Sequence, residues 1–308
     1  MMDQTKPFFR AINELCEEMN IEISEYSFGL IKQLKKDGKI RSLVRYKLDL
    51  NSGTACDIAN DKYATYEILK ANKVPIIEHT MIFNPKTRKD YVTALDLQIA
   101  KALFNKYNRK MVIKANNSYQ GKEVFLIYEE AMVEKTILDI FNRNNDSLSL
   151  CPFENLKNEY RVIVLDNECL FSYKKDKPVI KGDGKKSISD YLIDLKIEKP
   201  DKNLDLDYIP KQGEEVELNW KFNLSGGATP QKITDTALKY EIEKIAIQAA
   251  KAINIRFASV DIVETTNKEL KVMEINATVC MNKFSENYEN GYEISKEIYR
   301  KALEKCFK

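Results

Sequence analysis

Two stretches near the C-terminus, FASVDIVE at residues 257–264 and LKVMEIN at residues 270–276, decide the expected fold. Both are apolar runs of strand length, and the Thr-Thr-Asn between them predicts a turn, so together they predict a β-hairpin. Glu274 and Asn276 are two residues apart and therefore face one side of their strand, and Asp261 in the first strand can face the same side. Three oxygen donors on one face suit Mg²⁺, which takes few protein ligands and shares the rest with phosphates. The competing interpretation is a solvated strand face that carries acids.

A second candidate site lies in VIKANNSYQGKEVF at residues 112–125. Lys114 ends an apolar strand, and a polar loop from Ser118 to Lys122 leads into the next strand. Such a loop can direct backbone N–H groups at a phosphate while the lysine supplies a point charge. It is not a P-loop, because G-x-x-x-x-G-K-[ST] is absent and a strand rather than a helix follows. An ordinary polar hairpin would have the same sequence.

Two glycine-containing segments are further candidates. In NLSGGAT at residues 223–229, the paired glycines beside Ser225 permit close approach of an anion, although a plain loop would look similar. In IKGDGKKSISD at residues 180–190, the simplest prediction is a tight turn before a helix capped at Ser187.

Composition limits the class of protein. The chain has 308 residues, of which 44% are hydrophobic and 31% charged, so it can fill a sizeable core. Its length allows two domains, or one domain with lobes. The 49 basic and 47 acidic residues leave a net charge of only +2, which removes the main electrostatic argument for a nucleic-acid partner.

No stretch approaches the about 18 apolar residues of a membrane helix, and the N-terminus lacks the pattern of a signal peptide. The six cysteines have neither metal-site nor redox-motif spacing, which favours reduced thiols. We therefore expect a cytoplasmic protein without a membrane partner. The single histidine, His79, excludes a histidine-rich metal centre, and we expect it at the surface or in a loop.

Hydrophobic periodicity predicts alternating helices and strands, and hence an α/β or α+β fold. We expect helices over residues 8–20, 28–36, 58–72, 95–107, 235–252 and 292–306, with one more ending near Asn142. We expect strands, besides the hairpin, over residues 43–50, 81–83, 111–114, 123–128, 160–165, 168–173 and 216–220.

The order of these motifs along the chain resembles that of the ATP-grasp carboxylate–amine ligases. It is most similar to the ATP-grasp region of cyanophycin synthetases, with ribosomal-protein glutamate ligases and bifunctional glutathione synthetases as relatives. The motifs that carry the resemblance over roughly 230 residues are Asp61-Lys62, Val74-Pro75, Lys114, Gln120-Gly121-Lys122, Glu159-Tyr160-Arg161, Gly182-Asp183-Gly184, Asn223 to Gly227, Asp261 and Glu274-Ile275-Asn276.

The resemblance implies an ATP-grasp fold, in which two α/β lobes clasp ATP. The lid subdomain would cover residues 61–150, and the C-terminal subdomain with the metal site would cover residues 151–308. A shortened N-terminal lobe at residues 1–60 would precede them.

The resemblance also implies roles for single residues. The ATP-binding set would be Lys62, Lys114, Ser118, Tyr119, Gln120, Gly121, Lys122, the hinge Cys151, Pro152, Phe153 and Glu154, and Glu159 toward the ribose. An arginine common in the family is missing, and Lys174 or Lys175 would replace it without copying its bidentate contact. One or two Mg²⁺ ions, with Mn²⁺ as a substitute, would be held by Asp261, Glu274 and Asn276. Candidates for binding the transferring phosphate and the acyl group are Arg161, Lys221, Ser225, Gly226 and Gly227.

The implied activity is phosphorylation of a small-molecule carboxylate by ATP, followed by attack of an amine on the acyl phosphate. A peptide or a carrier protein as acceptor stays open, and family members are often homo-oligomers. The sequence departs from the family pattern at three places, and these departures keep alternatives open. The usual Pro-Gly after Asn276 is replaced by ATVC at residues 277–280. A glycine of the phosphate loop is replaced by Glu123, and the hinge lacks its usual glycine at Lys157-Asn158. The alternatives are transfer to a carrier-protein thiol, a small-molecule kinase, and an ATP-binding regulator without turnover.

Overall fold

A computed structural model describes residues 5–87, 97–117, 123–143, 145–195, 197, 200 and 204–308. These residues form three antiparallel sheets of four, four and five strands, one small two-stranded sheet, and helices packed on the larger sheets. The predicted mixed α and β class is confirmed. No helix in the described ranges combines the length and the apolarity that crossing a membrane requires.

The first sheet is a meander near the N-terminus, in strand order β1-β2-β3-β4. Its elements are α1 (Pro7–Glu18), β1 (Glu22–Tyr26), β2 (Ile31–Lys36), β3 (Lys39–Val44) and β4 (Lys47–Leu48). The predicted helix over residues 28–36 is wrong, because Lys32 and Leu34 are buried while their neighbours are not, which is the period of a strand. The predicted strand over 43–50 is interrupted at Arg45, whose backbone is left-handed (φ 55°).

Two short helices replace the single helix predicted over residues 58–72. They are α2 (Gly53–Asn60) and α3 (Lys62–Ala71), and the chain between them is extended at Asp61. The Asp61 carboxylate accepts a hydrogen bond from the backbone N–H of Ala64 at 2.8 Å. Asp61 is therefore a helix N-cap, a position that aspartate favours over a helix interior.

The second sheet has the strand order β5-β8-β6-β7. Its strands are β5 (Thr80–Phe83), β6 (Met111–Ala115), β7 (Val124–Ile127) and β8 (Ser147–Pro152), and α4 (Leu97–Lys106) and α5 (Glu130–Phe141) pack on it. The strands predicted here and the two helices are confirmed with shifted ends, but β8 was not predicted. The proposed boundary between residues 150 and 151 falls inside β8, and the three-lobe division stays a prediction.

The third sheet has the strand order β13-β10-β9-β14-β15. Its strands are β9 (Leu156–Leu165), β10 (Glu168–Asp176), β13 (Thr229–Gln231), β14 (Phe257–Thr265) and β15 (Leu270–Asn276). The predicted hairpin of β14 and β15 is confirmed. Helix α7 (Thr236–Ala252), also predicted, covers one face of the sheet with buried isoleucine and alanine side chains.

The remaining elements complete the chain. A small two-stranded sheet pairs β11 (Val179–Lys181) with β12 (Glu215–Glu217), which is shorter than the strand predicted over 216–220. Helix α6 (Ile188–Asp194) begins at the predicted cap, Ser187, which forms a capping box with Asp190. Helix α8 (Asn282–Asn287) was not predicted, whereas α9 (Gly291–Phe307) was, and α9 shares a core with α1.

Candidate functional site

One row of directly opposed residues crosses four strands of the third sheet. Tyr173 on β10 is opposite Arg161 on β9, Arg161 is opposite Asp261 on β14, and Asp261 is opposite Glu274 on β15. Directly opposed residues have Cβ atoms about 4.5–5.5 Å apart, so the register places four polar side chains side by side. Asn276, two residues beyond Glu274, continues this face.

A β-bulge in the hairpin sets the direction of the acidic side chains. The partner of Asp261 is Glu274, but the partner of Ile262 is Val272, so Met273 has no opposite residue. Val272 and Ile275 pack into the core beneath α7, while Met273 packs with a separate apolar cluster. The extra residue therefore turns the strand so that Glu274 and Asn276, both half-buried, lie away from that core.

Asp261 is the centre of a buried ion cluster. Arg161 donates from Nε to Oδ1 at 2.8 Å and from Nη2 to Oδ2 at 2.7 Å. Lys175 Nζ lies 3.0 Å from Oδ1 of Asp261 and also donates to the carboxylate of Glu159. Burial alone would raise the pKa of Asp261, but Arg161 and Lys175 outweigh it and bring that pKa to about 2. Asp261 is thus a carboxylate held in its charged form.

The two lysines proposed as replacements for the family arginine have different surroundings. Lys175 is almost fully buried among the acids, and Asp261 and Glu159 raise its pKa although burial acts in the opposite direction. Lys174 is a third exposed and pairs with Asp176 at 2.7 Å, outside the cluster. Lys175 is therefore the lysine that contacts the candidate metal ligand. Glu159 is buried beside it, and a contact of Glu159 with a ribose stays a prediction.

Lys62 at the start of α3 and Lys114 on β6 are two cations near the face of the third sheet that carries Glu274. The carbonyl oxygen of the fully buried Asn116 accepts a hydrogen bond from Lys62 Nζ at 3.0 Å, and its Oδ1 accepts one from the backbone of Tyr63 at 3.2 Å. Burial lowers the pKa of Lys62 to about 8, with Lys114 acting in the same direction and Glu274 opposing. Two cations and the acid of β15 are therefore within electrostatic reach of one another.

The structure describes only the residues on either side of the predicted phosphate loop. Ser118, Tyr119, Gln120, Gly121 and Lys122 lie outside the described residues. Glu123, which occupies the position of a family glycine, has a left-handed backbone with φ 53°. The chain thus keeps at Glu123 a conformation that glycine adopts more easily.

His79 lies in the loop before β5, as one part of the expectation had it, but it is buried, so the expectation of a surface histidine was wrong. It precedes β5 and lies beside β8, where its Nδ1 is 2.6 Å from the hydroxyl oxygen of Ser149. Burial lowers the pKa of His79 well below its usual value, and Lys114 and Lys62 lower it further. The histidine is therefore neutral and within electrostatic reach of the two lysines.

The predicted hinge runs along the end of β8 and past it. Cys151 is buried with Val112 and Val263, in a cluster between the second sheet and the hairpin. Phe153 lies 6.3 Å from the ring of Trp220, and Lys110 Nζ lies 3.9 Å above the Phe153 ring. Pro152 ends β8. Glu154 pairs with Lys271 of β15 at 3.0 Å.

The glycine loop follows the small sheet. Leu224–Gly226 form one turn of 3₁₀ helix, and Gly227 then has a φ of 96°. A Cβ atom at Gly227 would lie 2.6 Å from Ile197 Cδ1, so a side chain there would displace Ile197 in addition to straining the backbone. Lys221 has its side-chain nitrogen 5.4 Å from the ring of Trp220, and Ser225 is exposed within the loop.

Sequence reasoning did not identify every residue of the site. Tyr173 and Asn116 were missed, and both are buried. The hairpin turn at Asp166-Asn167 is a local signal for the pairing of β9 with β10, but by itself it would place Ser172 opposite Arg161. A β-bulge between Cys169 and Phe171 shifts the register by one residue and places Tyr173 there instead. Asn116 had no such signal, since its partners Lys62 and Tyr63 are more than fifty residues away in sequence.

The candidate metal ligands have the chemistry that Mg²⁺ requires. In the described part of the chain, no three His, Cys, Asp or Glu side chains come together as a metal cluster. The candidate set differs from such a cluster because it combines two carboxylates, Asp261 and Glu274, with the amide of Asn276. All three are oxygen donors on one face, and oxygen is the ligand that Mg²⁺ prefers.

Comparison with known proteins finds similarity to ligases. Residues 210–301 match the family model of the RimK-like ATP-grasp domain. A segment of 71 residues is 39% identical to tetrahydromethanopterin:α-L-glutamate ligase of Methanocaldococcus jannaschii and covers 22% of this chain and 23% of that protein.

Two solved structures show the same fold at low sequence identity. The bifunctional glutathione synthetase from Pasteurella multocida is similar with a TM-score of 0.57 and 16% identity, over 96% of this chain and 44% of that one. The D-alanine–D-alanine ligase from Bacillus anthracis has a TM-score of 0.50 and 14% identity, over 82% of this chain and 72% of that one. The chain thus spans less than half of the glutathione synthetase and about a quarter of the archaeal ligase.

Proposed function

We propose that this chain, a member of the ATP-grasp superfamily, is an ATP- and Mg²⁺-dependent ligase that joins a carboxylate to an amine through an acyl phosphate. The observation that carries the proposal is the polar row of Arg161, Asp261 and Glu274 on three neighbouring strands. Such a row combines ligands for a metal with a cation for a phosphate, and both are needed where a phosphoryl group is transferred.

Asp261, Glu274 and Asn276 are the residues that would hold Mg²⁺. The fit rests on their all-oxygen donor set and their shared face. When bound, the ion would neutralise charge on the triphosphate.

The nucleotide would lie between the second sheet and the hairpin. Lys62 and Lys114 are the cations for its phosphates, and the loop at residues 118–122 would close over them. The base would contact the segment from Cys151 to Glu154, where Cys151 and the ring of Phe153 belong to an apolar cluster between the second sheet and the hairpin. Apolar and aromatic side chains are suited to contact with a nucleotide base.

The chemistry follows from holding three groups together. A substrate carboxylate oxygen would attack the γ-phosphorus, and the bond from that phosphorus to ADP would break. The amine nitrogen would then attack the acyl carbon, lose a proton, and expel phosphate with the bonding electron pair. Arg161, Lys221 and the loop from Ser225 to Gly227 would bind the transferring phosphate and the acyl group. The protein contributes position and charge rather than a covalent intermediate of its own.

We further propose amino acids or short peptides as the first substrates to examine. The archaeal relative is named as a ligase of α-L-glutamate, and the Bacillus relative as a ligase of D-alanine. We do not assign tetrahydromethanopterin or D-alanine itself to this chain, because the match covers only 23% of the archaeal protein and the Bacillus structure is only 14% identical.

Hydroxylamine trapping tests the proposal without knowledge of the acceptor. The protein is incubated with Mg-ATP, hydroxylamine and pooled carboxylic acids, and the products are read by mass spectrometry. We expect a hydroxamate together with ADP, and neither product from a Glu274→Gln variant. Formation of AMP would contradict the acyl phosphate. A stable phosphorylated product would indicate a kinase, and ATP binding without ADP would indicate a regulator.

A further inference from the structure

Both carboxylate oxygens of Asp261 are already occupied. Oδ1 accepts from Arg161 and Lys175, and Oδ2 accepts from the other arm of the Arg161 guanidinium. The carboxylate is almost fully buried. Only one lone pair, on Oδ2 beside the Arg161 guanidinium, is left, so a metal ion that used Asp261 as a ligand would be repelled by the cations there unless it replaced one of them.

The charge of the cluster explains when this replacement is favourable. Arg161 and Lys175 balance Asp261 and Glu159, so the four buried or partly buried side chains are together neutral. A divalent cation alone would add two positive charges beside the two existing ones, and like charges repel strongly where water is excluded. A cation that arrives with a triphosphate brings its own negative charge, and the repulsion is removed.

We propose that Lys175 and Arg161 are positioning residues that reserve Asp261 until a metal–nucleotide complex binds, and that both cations then leave Asp261. The proposal rests on the proposed function, because it takes Asp261 as a metal ligand. It adds that the empty site rejects a free divalent cation and that cation binding is coupled to nucleotide binding.

The surroundings give each cation a second position. Lys175 also contacts Glu159, so its flexible ammonium group can move off Asp261 and keep a counter-charge. The Arg161 side chain is 23% exposed, whereas Lys175 is 2% exposed, so Arg161 is the cation with access to solvent. Arg161 can therefore turn toward a phosphate, which a guanidinium binds in the same forked manner as a carboxylate.

The first test measures Mn²⁺ affinity without nucleotide by electron paramagnetic resonance. Removing the competing lysine in Lys175→Met should tighten Mn²⁺ binding by about 10- to 100-fold, the range over which neighbours of metal ligands change affinity. Lys244→Met serves as the control and should bind Mn²⁺ as the wild type does, because Lys244 is half exposed on α7, which covers the opposite face of the sheet. Mn²⁺ should also raise the melting temperature of Lys175→Met more than that of the wild type, which a purely structural role for Lys175 would not produce.

A second measurement uses the wild type and does not depend on whether the variant folds. In ¹⁵N-arginine-labelled protein, the Arg161 Nε–H resonance, assigned by its loss in Arg161→Lys, should be protected from exchange without ligand. It should shift on addition of Mg²⁺ with a non-hydrolysable ATP analogue, and stay in place on addition of Mg²⁺ alone. A resonance that is unchanged in the nucleotide complex would overturn the proposal, as would equal or weaker Mn²⁺ binding by a folded Lys175→Met.

The two proposals fail in different ways. If a hydroxamate forms with ADP while Lys175→Met leaves Mn²⁺ affinity unchanged, the ligase stands and the cation replacement is contradicted. If no metal–nucleotide complex binds and no hydroxamate forms, the proposed function itself is contradicted.

Discussion

Arg161 holds both carboxylate oxygens of Asp261, with Nε 2.8 Å from Oδ1 and Nη2 2.7 Å from Oδ2. The pair joins β9 to β14 at the centre of the five-stranded sheet. A bidentate pair of this kind is strong and directional, and when it is buried the loss of one partner leaves the other without compensation. Asp261 therefore has a structural role as well as its proposed role at the metal.

Two variants separate these roles. Asp261→Asn should lower the free energy of unfolding by about 3–5 kcal/mol, because it leaves Arg161 and Lys175 buried without their shared acid. Glu274→Gln should change stability by less than about 1 kcal/mol, because Glu274 is only half-buried. Both should abolish hydroxamate formation. Urea denaturation followed by circular dichroism gives the two free energies, and equal stability losses would contradict the division.

Adjacent lysines provide a second test. Lys175→Met should cost about 3–5 kcal/mol, because it leaves two buried carboxylates beside each other. Lys174→Met removes only a partly exposed ion pair and should cost less than about 1 kcal/mol. Thermal unfolding of the two variants at neutral pH measures the difference. A larger loss in Lys174→Met would mean that the two lysines have been assigned to the wrong sides of β10.

The titration of His79 should make the free energy of unfolding depend on pH between about pH 5.5 and about pH 7.5, where no other side chain with an ordinary pKa titrates. Its pKa is well below the usual value in the folded protein, so the unfolded chain takes up the proton first as pH falls. Stability should therefore decrease from about pH 7.5 to about pH 5.5 by about 1.4 kcal/mol. Because the sequence contains one histidine, His79→Gln should remove this slope. Urea unfolding across the window measures it, and a slope that persists in the variant would assign it to another group.

Lys62 should make ATP binding weaker in mildly alkaline solution. Its pKa of about 8 in the unliganded protein is lowered by burial, and bound phosphates would raise it again. ATP affinity should therefore be constant below about pH 8 and fall by up to about tenfold per pH unit above it, as Lys62 loses its proton. Calorimetric titration at several pH values gives the profile. Lys62→Arg, which stays charged, should bind with a flat profile, and an identical decline in that variant would exclude Lys62 as the cause.

The sequence was most informative where one chain segment determines its own structure. The hairpin of β14 and β15 follows from two apolar runs and a turn, and the start of α6 follows from Ser187 and Asp190. These elements depend on local pairing and capping, which neighbouring residues control. The two-residue spacing of Glu274 and Asn276 then predicted that both face one side of their strand.

Long-range packing accounts for what the sequence did not show. The segment Ile31–Lys36 is a strand because β1 and β3 pair with it on both sides, although its composition also suits a helix. His79 is buried because β8, nearly seventy residues later, lies beside it. The sequence also could not decide whether Lys174 or Lys175 contacts Asp261. That depends on which face of β10 lies beside the acids of β9 and β14.

The most direct test of an acyl phosphate follows a single oxygen atom. The carboxylic acids of the pool are labelled with ¹⁸O in their carboxylate groups and incubated with the protein, Mg-ATP and hydroxylamine, and the released phosphate is analysed by mass spectrometry. Attack of the carboxylate on the γ-phosphorus should place one ¹⁸O in inorganic phosphate, with ADP formed in equal amount. Recovery of ¹⁸O in AMP, or ADP with wholly unlabelled phosphate while the hydroxamate forms, would contradict the acyl phosphate.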